Sequence, residues 1–104
     1  SAYYKTNLEY YIKFLKGYRY DNYWAGAKKA CDDIGMSLPD ESKLQSIYQA
    51  GQKDSSLGLP TEDWFWSSKE YYELSAYLVD FSNGYKEGSD VKLSSGYKVL
   101  CVGD

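Results

Sequence analysis

Two cysteines, Cys31 and Cys101, restrict the fold of this 104-residue chain more than any other feature. The spacing of apolar residues puts Cys31 near the end of a buried helical face and Cys101 on the inner face of a last strand. A bond between them would close a loop of roughly 70 residues and destabilise the unfolded chain by about 4 kcal/mol. We therefore expect a disulfide in an exported protein. Two buried free thiols are the alternative, and a catalytic thiol is disfavoured because no histidine can serve as its base.

Composition narrows the classes of function. The length fits one domain with one hydrophobic core. Acidic residues outnumber basic ones by 15 to 12, which disfavours nucleic acid and anionic membranes as partners. The absence of histidine excludes His-based triads and zinc hydrolase sites. No run of apolar residues is long enough to insert into a membrane, and we expect neither a cofactor, nor a metal site, nor catalysis.

The first residues carry a helix signal. Thr6 and Glu9 form a capping box, and apolar residues follow at helical spacing until Gly17. This pattern predicts an N-terminal helical extension over residues 1–20. The domain proper is then predicted over residues 21–104.

Two further helices are predicted inside this domain. The first runs from about Asn22 to Ile34, with Gly35 as its C-terminal stop. The second begins after the Leu-Pro turn with Asp40 as its N-cap and ends at Gly51.

The second half of the chain has the residue pattern of β structure. A polar loop over residues 52–63 leads into a strand that begins with the aromatic run WFWSS. Alternation over residues 77–81, followed by Asn83 and Gly84, predicts a hairpin. Residues 97–102 predict a final strand with Tyr97 and Cys101 on the same side.

The order of these segments resembles that of bacterial C-type lectin-like domains. The run YWAGAKKACDDIGMSLPDESKLQSIY is similar to their W-x-x-A-x-x-x-C, Leu-Pro and Leu-x-x-Ile segment. Within them the likeness is greatest to the Lcl C-terminal domain family and related bacterial paralogous domains, whose later signatures here read Trp66-Ser67-Ser68, SAYLVDFSNG and YKVLCVGD. The resemblance covers about residues 22–103. It implies an α+β fold in which two short helices flank small antiparallel sheets and a long loop region carries ligand contacts.

Some family features are missing. Asp40 and Lys43 stand where the family often has the two partners of a capping box, so that reciprocal cap is lost. The Glu-Pro-Asn, Gln-Pro-Asp and Trp-Asn-Asp motifs of calcium-dependent lectins do not occur in the chain. Calcium-dependent sugar binding is therefore not supported.

Aromatic residues make up 18% of the chain and supply most of the candidate ligand contacts. Tyrosine beside serine and glycine gives a binding surface a broad contact area at modest entropic cost. The candidate ligand-binding residues are Trp64, Tyr71, Tyr72, Tyr85, Lys86 and Tyr97, which we expect in or beside loops. The alternative is that the tyrosines only fill space in the fold. Trp66 is expected in the core, beside the disulfide.

These patterns predict a non-enzymatic ligand-binding or adhesion module of a bacterial or phage surface protein, located at the cell surface or outside the cell. Its partner would be a protein or a glycan, held by the loops 52–64 and 84–97. The alternative is a structural subunit of a pilin-like or fibre assembly. In that case the N-terminal helix would pack against neighbouring copies in a homo-oligomer.

Overall fold

The fold is α+β, as predicted, in a computed structural model that describes residues 4–5, 11–14, 23–72, 75–88 and 97–103. The strands are β1 (Tyr4–Lys5), β2 (Tyr11–Phe14), β3 (Trp64–Tyr72), β4 (Ser75–Asp80), β5 (Lys86–Glu87) and β6 (Leu100–Gly103). The helices are α1 (Tyr23–Asp32), α2 (Glu41–Lys53) and a 3₁₀ turn, Ser55–Leu57. Within the described residues the strands form two antiparallel sheets, ordered β1-β2-β6 and β3-β4-β5.

Both helices of the domain are confirmed. Helix α1 ends before Gly35, whose φ of 71° is the left-handed geometry expected at a C-terminal stop. Helix α2 begins as predicted, with the Asp40 carboxylate accepting a hydrogen bond of 2.8 Å from the Lys43 amide. It continues past Gly51, the predicted end, because tertiary packing overrides the low helix propensity of glycine. A Cβ on Gly51 would lie 3.3 Å from Leu59 Cβ, so the bare backbone admits this neighbour.

The helix predicted near the N-terminus is wrong at Tyr11–Phe14. These residues form β2, which pairs antiparallel with β6 in the register Lys13↔Cys101. Pairing with a strand nearly ninety residues away in the chain supplies the backbone hydrogen bonds that local helix propensity would otherwise have claimed. Tyr4–Lys5 of the predicted helical extension form β1, which pairs with β2, and the other residues of the extension lie outside the described residues. The division of the chain at residue 20 stays a prediction.

The β3-β4-β5 sheet separates two buried clusters, since successive side chains of a strand point to opposite faces. On one side, which we call the disulfide core, Trp66 and Leu78 pack with the Cys31–Cys101 disulfide. On the other side, which we call the α2 core, Phe65 packs with residues of α2 and β4. The predicted disulfide and the burial of Trp66 beside it are thus confirmed.

Polar contacts fix the layers around this sheet. The indole nitrogen of Trp24 in α1 donates a buried hydrogen bond of 2.8 Å to the Ser67 carbonyl of β3. The backbone of Lys98 bridges β3, since its amide donates to the Trp64 carbonyl and its carbonyl accepts from the Trp66 amide. The base of β3 is therefore held between α1 and the segment that leads into β6, which leaves its far end to carry surface residues.

Candidate ligand-binding surface

The far end of the β3-β4-β5 sheet gathers three tyrosines. Tyr71 in β3 and Tyr77 in β4 meet edge to face, with ring centroids 5.2 Å apart. Tyr72 lies against Tyr71 at 4.4 Å in a tilted arrangement. The Lys86 ammonium in β5 sits 5.4 Å from the Tyr77 ring centroid. We call these four residues, together with Gly88, the tyrosine platform.

The pairing register explains why these residues meet. Lys86 is opposite Val79, which lies two residues beyond Tyr77 and shares its face of β4. Tyr71 follows Glu70, which is opposite Ala76, the residue before Tyr77. Residues from three consecutive strands are therefore brought together by sheet geometry, while they are spread over residues 71–88 in sequence.

Gly88 forms the floor of the platform. A Cβ at this position would lie 2.8 Å from the Tyr71 ring and 2.9 Å from the Tyr77 ring. Real Cβ atoms do not approach so closely, so both rings rest directly on the glycine backbone, and Gly88 is buried beneath them. The rings are packed from below and from the side, which restricts their rotamers before any ligand arrives.

Two platform rings nevertheless face solvent. Tyr71 is 42% exposed and Tyr72 is 69% exposed. The pKa of Tyr71 is raised above its ordinary value because a negative charge on Tyr72 opposes its ionisation. Desolvation, a hydrogen bond with Tyr72 and the charges of Tyr77 and Glu87 act in the same direction. The surroundings of this hydroxyl thus disfavour additional negative charge.

Tyr85 is equally exposed, at 72%, but belongs to the turn that joins β4 and β5. Its amide donates to the Asn83 side-chain oxygen at 2.9 Å, and Gly84 adopts a φ of 81°. Gln45 of α2 donates a 3.0 Å hydrogen bond to the Gly84 carbonyl. A Cβ at Gly84 would lie only 2.7 Å from the ring of Tyr48. Helix α2 therefore holds this turn in place.

Trp64 and Tyr97 have a different environment from the platform. Both are half-buried and pack against the disulfide core. Tyr97 meets Trp66 edge to face at 5.0 Å. This packing matches the alternative interpretation that aromatic residues fill the core, and a role for either residue in ligand binding stays a prediction.

Tyr71 and Tyr72, expected in or beside loops, are the last two residues of β3. The extension of β3 beyond its apolar start carried no alternation signal, and exposed tyrosines fit a strand as well as a loop.

Tyr77 and Gly88 were missed as site residues. Tyr77 was recognised only as part of a hairpin strand, and its place beside Lys86 depends on a register that the turn sets. Gly88 stands in a polar stretch rich in glycine and serine, where nothing in the sequence distinguishes it.

Of the two predicted contact loops, 52–64 is described in full and 84–97 in part. In loop 52–64, Leu57 and Leu59 pack on the α2 core, which anchors the loop. Loop 84–97 is described up to Gly88 and at Tyr97. Ligand binding by these loops stays a prediction.

Within the described ranges, no cluster of three or more Asp, Glu, Cys or His side chains is arranged to hold a metal ion. None of the helices in the described part of the chain has the length and apolar character needed to cross a bilayer.

Comparison with known families places the chain. Its sequence matches the family InvE_AD, described as an adhesion domain, over residues 1–102, and the chain belongs to this family. Among curated proteins no sequence matches it. Family membership supports an adhesion module of a bacterial surface protein. The narrower likeness to the Lcl C-terminal domain family stays a prediction.

Proposed function

We propose that this member of the adhesion-domain family binds its ligand through the tyrosine platform. The observation that carries the proposal is a cluster of three tyrosine rings on the end of a sheet, in which Tyr71 contacts both Tyr72 and Tyr77 and two of the rings are substantially exposed. Large exposed apolar side chains gathered in one patch are typical of interaction surfaces. Tyrosine suits such a surface because it offers a wide ring and a hydroxyl with few torsions to immobilise.

Rigidity supports the same proposal. Rings that rest on the Gly88 backbone and on each other have lost much of their rotamer freedom already in the free protein. Association then costs less side-chain entropy, which leaves more of the contact energy as affinity. A merely solvated tyrosine would gain nothing from a glycine that admits its ring so closely.

The surface differs in place from the loops predicted from sequence. Lys86 and Gly88 belong both to the predicted loop 84–97 and to the platform, whereas Tyr71 and Tyr72 come from a strand. Loop 52–64 is proposed as a secondary contact only. The platform is the centre of the proposed surface because its exposed rings are contiguous.

Retention of coated beads on cells tests this function. Beads that carry the full chain are incubated with cultured epithelial cells and with bacterial cells, washed, and counted. We expect the double variant Tyr71→Ser/Tyr72→Ser to lose retention on whichever cell the unmodified chain binds. The matched control is Tyr85→Ser, which removes a ring of similar exposure outside the platform and is expected to retain binding.

Two results would contradict the platform as the adhesive surface. One is full retention by the double variant with an unchanged thermal unfolding midpoint. The other is loss of retention by Tyr85→Ser alone, which would move the surface to the β4–β5 turn.

The fibre-subunit alternative has no observation in its favour. It relied on an N-terminal helix that packs against neighbours, and residues 11–14 instead pair with β6 of the same chain. Assembly with other copies stays a prediction.

A further inference from the structure

The turn between β4 and β5 contains a chemically labile pair of residues. Of the three asparagines in the chain, Asn83 alone is followed by glycine, while Asn7 and Asn22 precede larger residues. Glycine has no side chain to shield its backbone nitrogen, so the nitrogen of Gly84 can approach the side chain of Asn83 at no steric cost. Asn83 is also exposed, so water has access to it. The pair therefore meets the requirements for deamidation.

Deamidation is a reaction of the chain with water. The deprotonated Gly84 nitrogen attacks Cγ of Asn83 and forms a new C–N bond in a cyclic succinimide, while the side-chain nitrogen takes up a proton and leaves as ammonia. Water then adds to one of the two ring carbonyls. Opening at Cγ gives aspartate, and opening at the backbone carbonyl gives isoaspartate, in which the main chain runs through the former side chain.

In the folded chain both reacting groups are engaged. The Gly84 amide donates to the Asp80 carbonyl at 2.7 Å, which holds the proton that the nitrogen must lose. The Asn83 side-chain oxygen accepts from the Tyr85 amide at 2.9 Å, which fixes the torsions of the side chain. Attack therefore requires a local opening of the turn in which both hydrogen bonds break.

Helix α2 supplies contacts that keep the turn closed. Gln45 donates a 3.0 Å hydrogen bond to the Gly84 carbonyl, and the Tyr48 ring packs against the same glycine. The Tyr48 ring is itself held edge to face on the buried ring of Phe81, with centroids 5.9 Å apart. Both contacts with α2 thus act on the residue whose nitrogen must attack.

We propose that Asn83-Gly84 is a modification site at which deamidation is controlled by the attachment of the β4–β5 turn to α2. While the turn is attached the reaction is suppressed, and each detachment exposes the pair to it. An isoaspartate would lengthen the main chain by one methylene group just before β5. This change would disturb the register that places Lys86 opposite Val79.

Peptide mapping by mass spectrometry, during incubation of the full chain in mildly alkaline buffer, tests the proposal. The reference is a synthetic peptide with the sequence of residues 79–87, which has the same pair without the fold. We expect Asn83 to react at least about tenfold more slowly in the folded chain, because two hydrogen bonds must open first. The Gly84 amide should be protected from hydrogen exchange in the same chain, since exchange also needs the turn to open.

Two matched variants of α2 separate attachment from other effects. Gln45→Ala removes the hydrogen bond to Gly84 and should raise the rate at Asn83 about fivefold, the factor that corresponds to one ordinary hydrogen bond. Gln49→Ala makes the same change at an exposed position that forms no hydrogen bond among the described residues, and it should leave the rate unchanged. Thermal unfolding midpoints show whether either variant has unfolded.

The proposal is overturned if the folded chain reacts as fast as the peptide, if the Gly84 amide exchanges as in the peptide, or if folded Gln45→Ala and Gln49→Ala react equally. Should Gln45→Ala fail to fold, the comparison of the unmodified chain with the peptide decides.

Retention of coated beads measures the consequence for adhesion, which rests on the proposed function. Chain aged until position 83 is isoaspartate should retain fewer beads than fresh chain, whereas equally aged Asn83→Gln should retain as many as when fresh. Deamidation with unchanged retention would leave the modification site in place and contradict only its effect on the platform. Failure of the proposed function is distinct, since it appears as full retention by Tyr71→Ser/Tyr72→Ser.

Discussion

At the scale of single residues, Tyr71 shows how neighbours change the chemistry of an exposed side chain. Its ring touches Tyr72 and Tyr77 and covers Gly88, yet 42% of its surface faces water. The pKa of its hydroxyl is raised first by Tyr72 and next by desolvation, so the ionisation of Tyr71 reports its contacts within the platform.

We expect Tyr71 to ionise above the ordinary pKa of 10.0, and Tyr72→Phe to lower that pKa because it removes the largest cause of the shift. A folded-state pKa above the unfolded value favours folding at pH below the unfolded pKa, and this contribution is lost as the pH rises through the folded one. Stability should thus decline above about pH 10. Phenolate absorbance, measured as the difference between the unmodified chain and Tyr71→Phe, gives the pKa. An unchanged Tyr71 pKa in Tyr72→Phe would contradict this account.

At the scale of elements, α2 and the β4–β5 turn behave as one unit. The turn closes on itself, since the Gly84 amide donates to the Asp80 carbonyl at 2.7 Å. The Asp80 carboxylate accepts from the amide and hydroxyl of Ser82. Gln45 and the ring of Tyr48 then attach this turn to the helix. Since β5 begins just after the turn, the position of Lys86 depends on that attachment.

Two glycine substitutions separate the effect of backbone strain from that of the contact between the β4–β5 turn and Tyr48. Gly35 and Gly84 both have positive φ, so alanine at either should cost about 1 kcal/mol through strain. A Cβ at Gly35 meets nothing within 4 Å, whereas at Gly84 it would clash with Tyr48. Gly84→Ala should therefore lower the free energy of unfolding by about 1 kcal/mol more than Gly35→Ala. Urea unfolding measures both.

Combining Gly84→Ala with Tyr48→Ala provides a check. The double variant should cost less than the sum of the single variants, because the clash disappears with the ring. Equal costs for Gly35→Ala and Gly84→Ala would show that the turn moves off α2 freely.

At the scale of the whole molecule, the disulfide ties the first helix to the last strand. Cys31 and Cys101 are completely buried, with Cα atoms 5.4 Å apart, in the cluster that also holds Trp24 and Trp66. Strand β6 in turn carries β2 on its edge. The cross-link therefore joins α1 to the β1-β2-β6 sheet as well as constraining the unfolded chain.

Reduction should lower the free energy of unfolding by about 4 kcal/mol, a large part of the roughly 5–15 kcal/mol of a typical domain. Urea unfolding with and without a thiol reductant measures the loss. The Cys31→Ala/Cys101→Ala variant is the control, since the reductant should not affect it. Alkylation followed by mass measurement should label two thiols only after reduction, and labelling in the denatured, unreduced chain would contradict the disulfide.

The sequence by itself determined the features that depend on local chemistry. The cap at Asp40, the stop at Gly35 and the turn at Gly84 each follow from the backbone preferences of the residue concerned. Alternation determined which face of β3 carries Trp66 and which carries Phe65. The disulfide followed because both cysteines lay on faces predicted to be buried.

Only the tertiary structure decided the fate of residues 11–14 and the composition of the platform. A short amphipathic segment can satisfy its backbone hydrogen bonds either in a helix or beside another strand. Here pairing with β6 makes residues 11–14 a strand. The platform depends on the register of three strands, since a shift of one residue would turn Tyr77 to the opposite face. Gly88 acquires its importance only because two rings converge on it. Such contacts between distant segments leave no periodic signal in the chain, which is why the sequence indicated tyrosines for binding without showing which of them would meet.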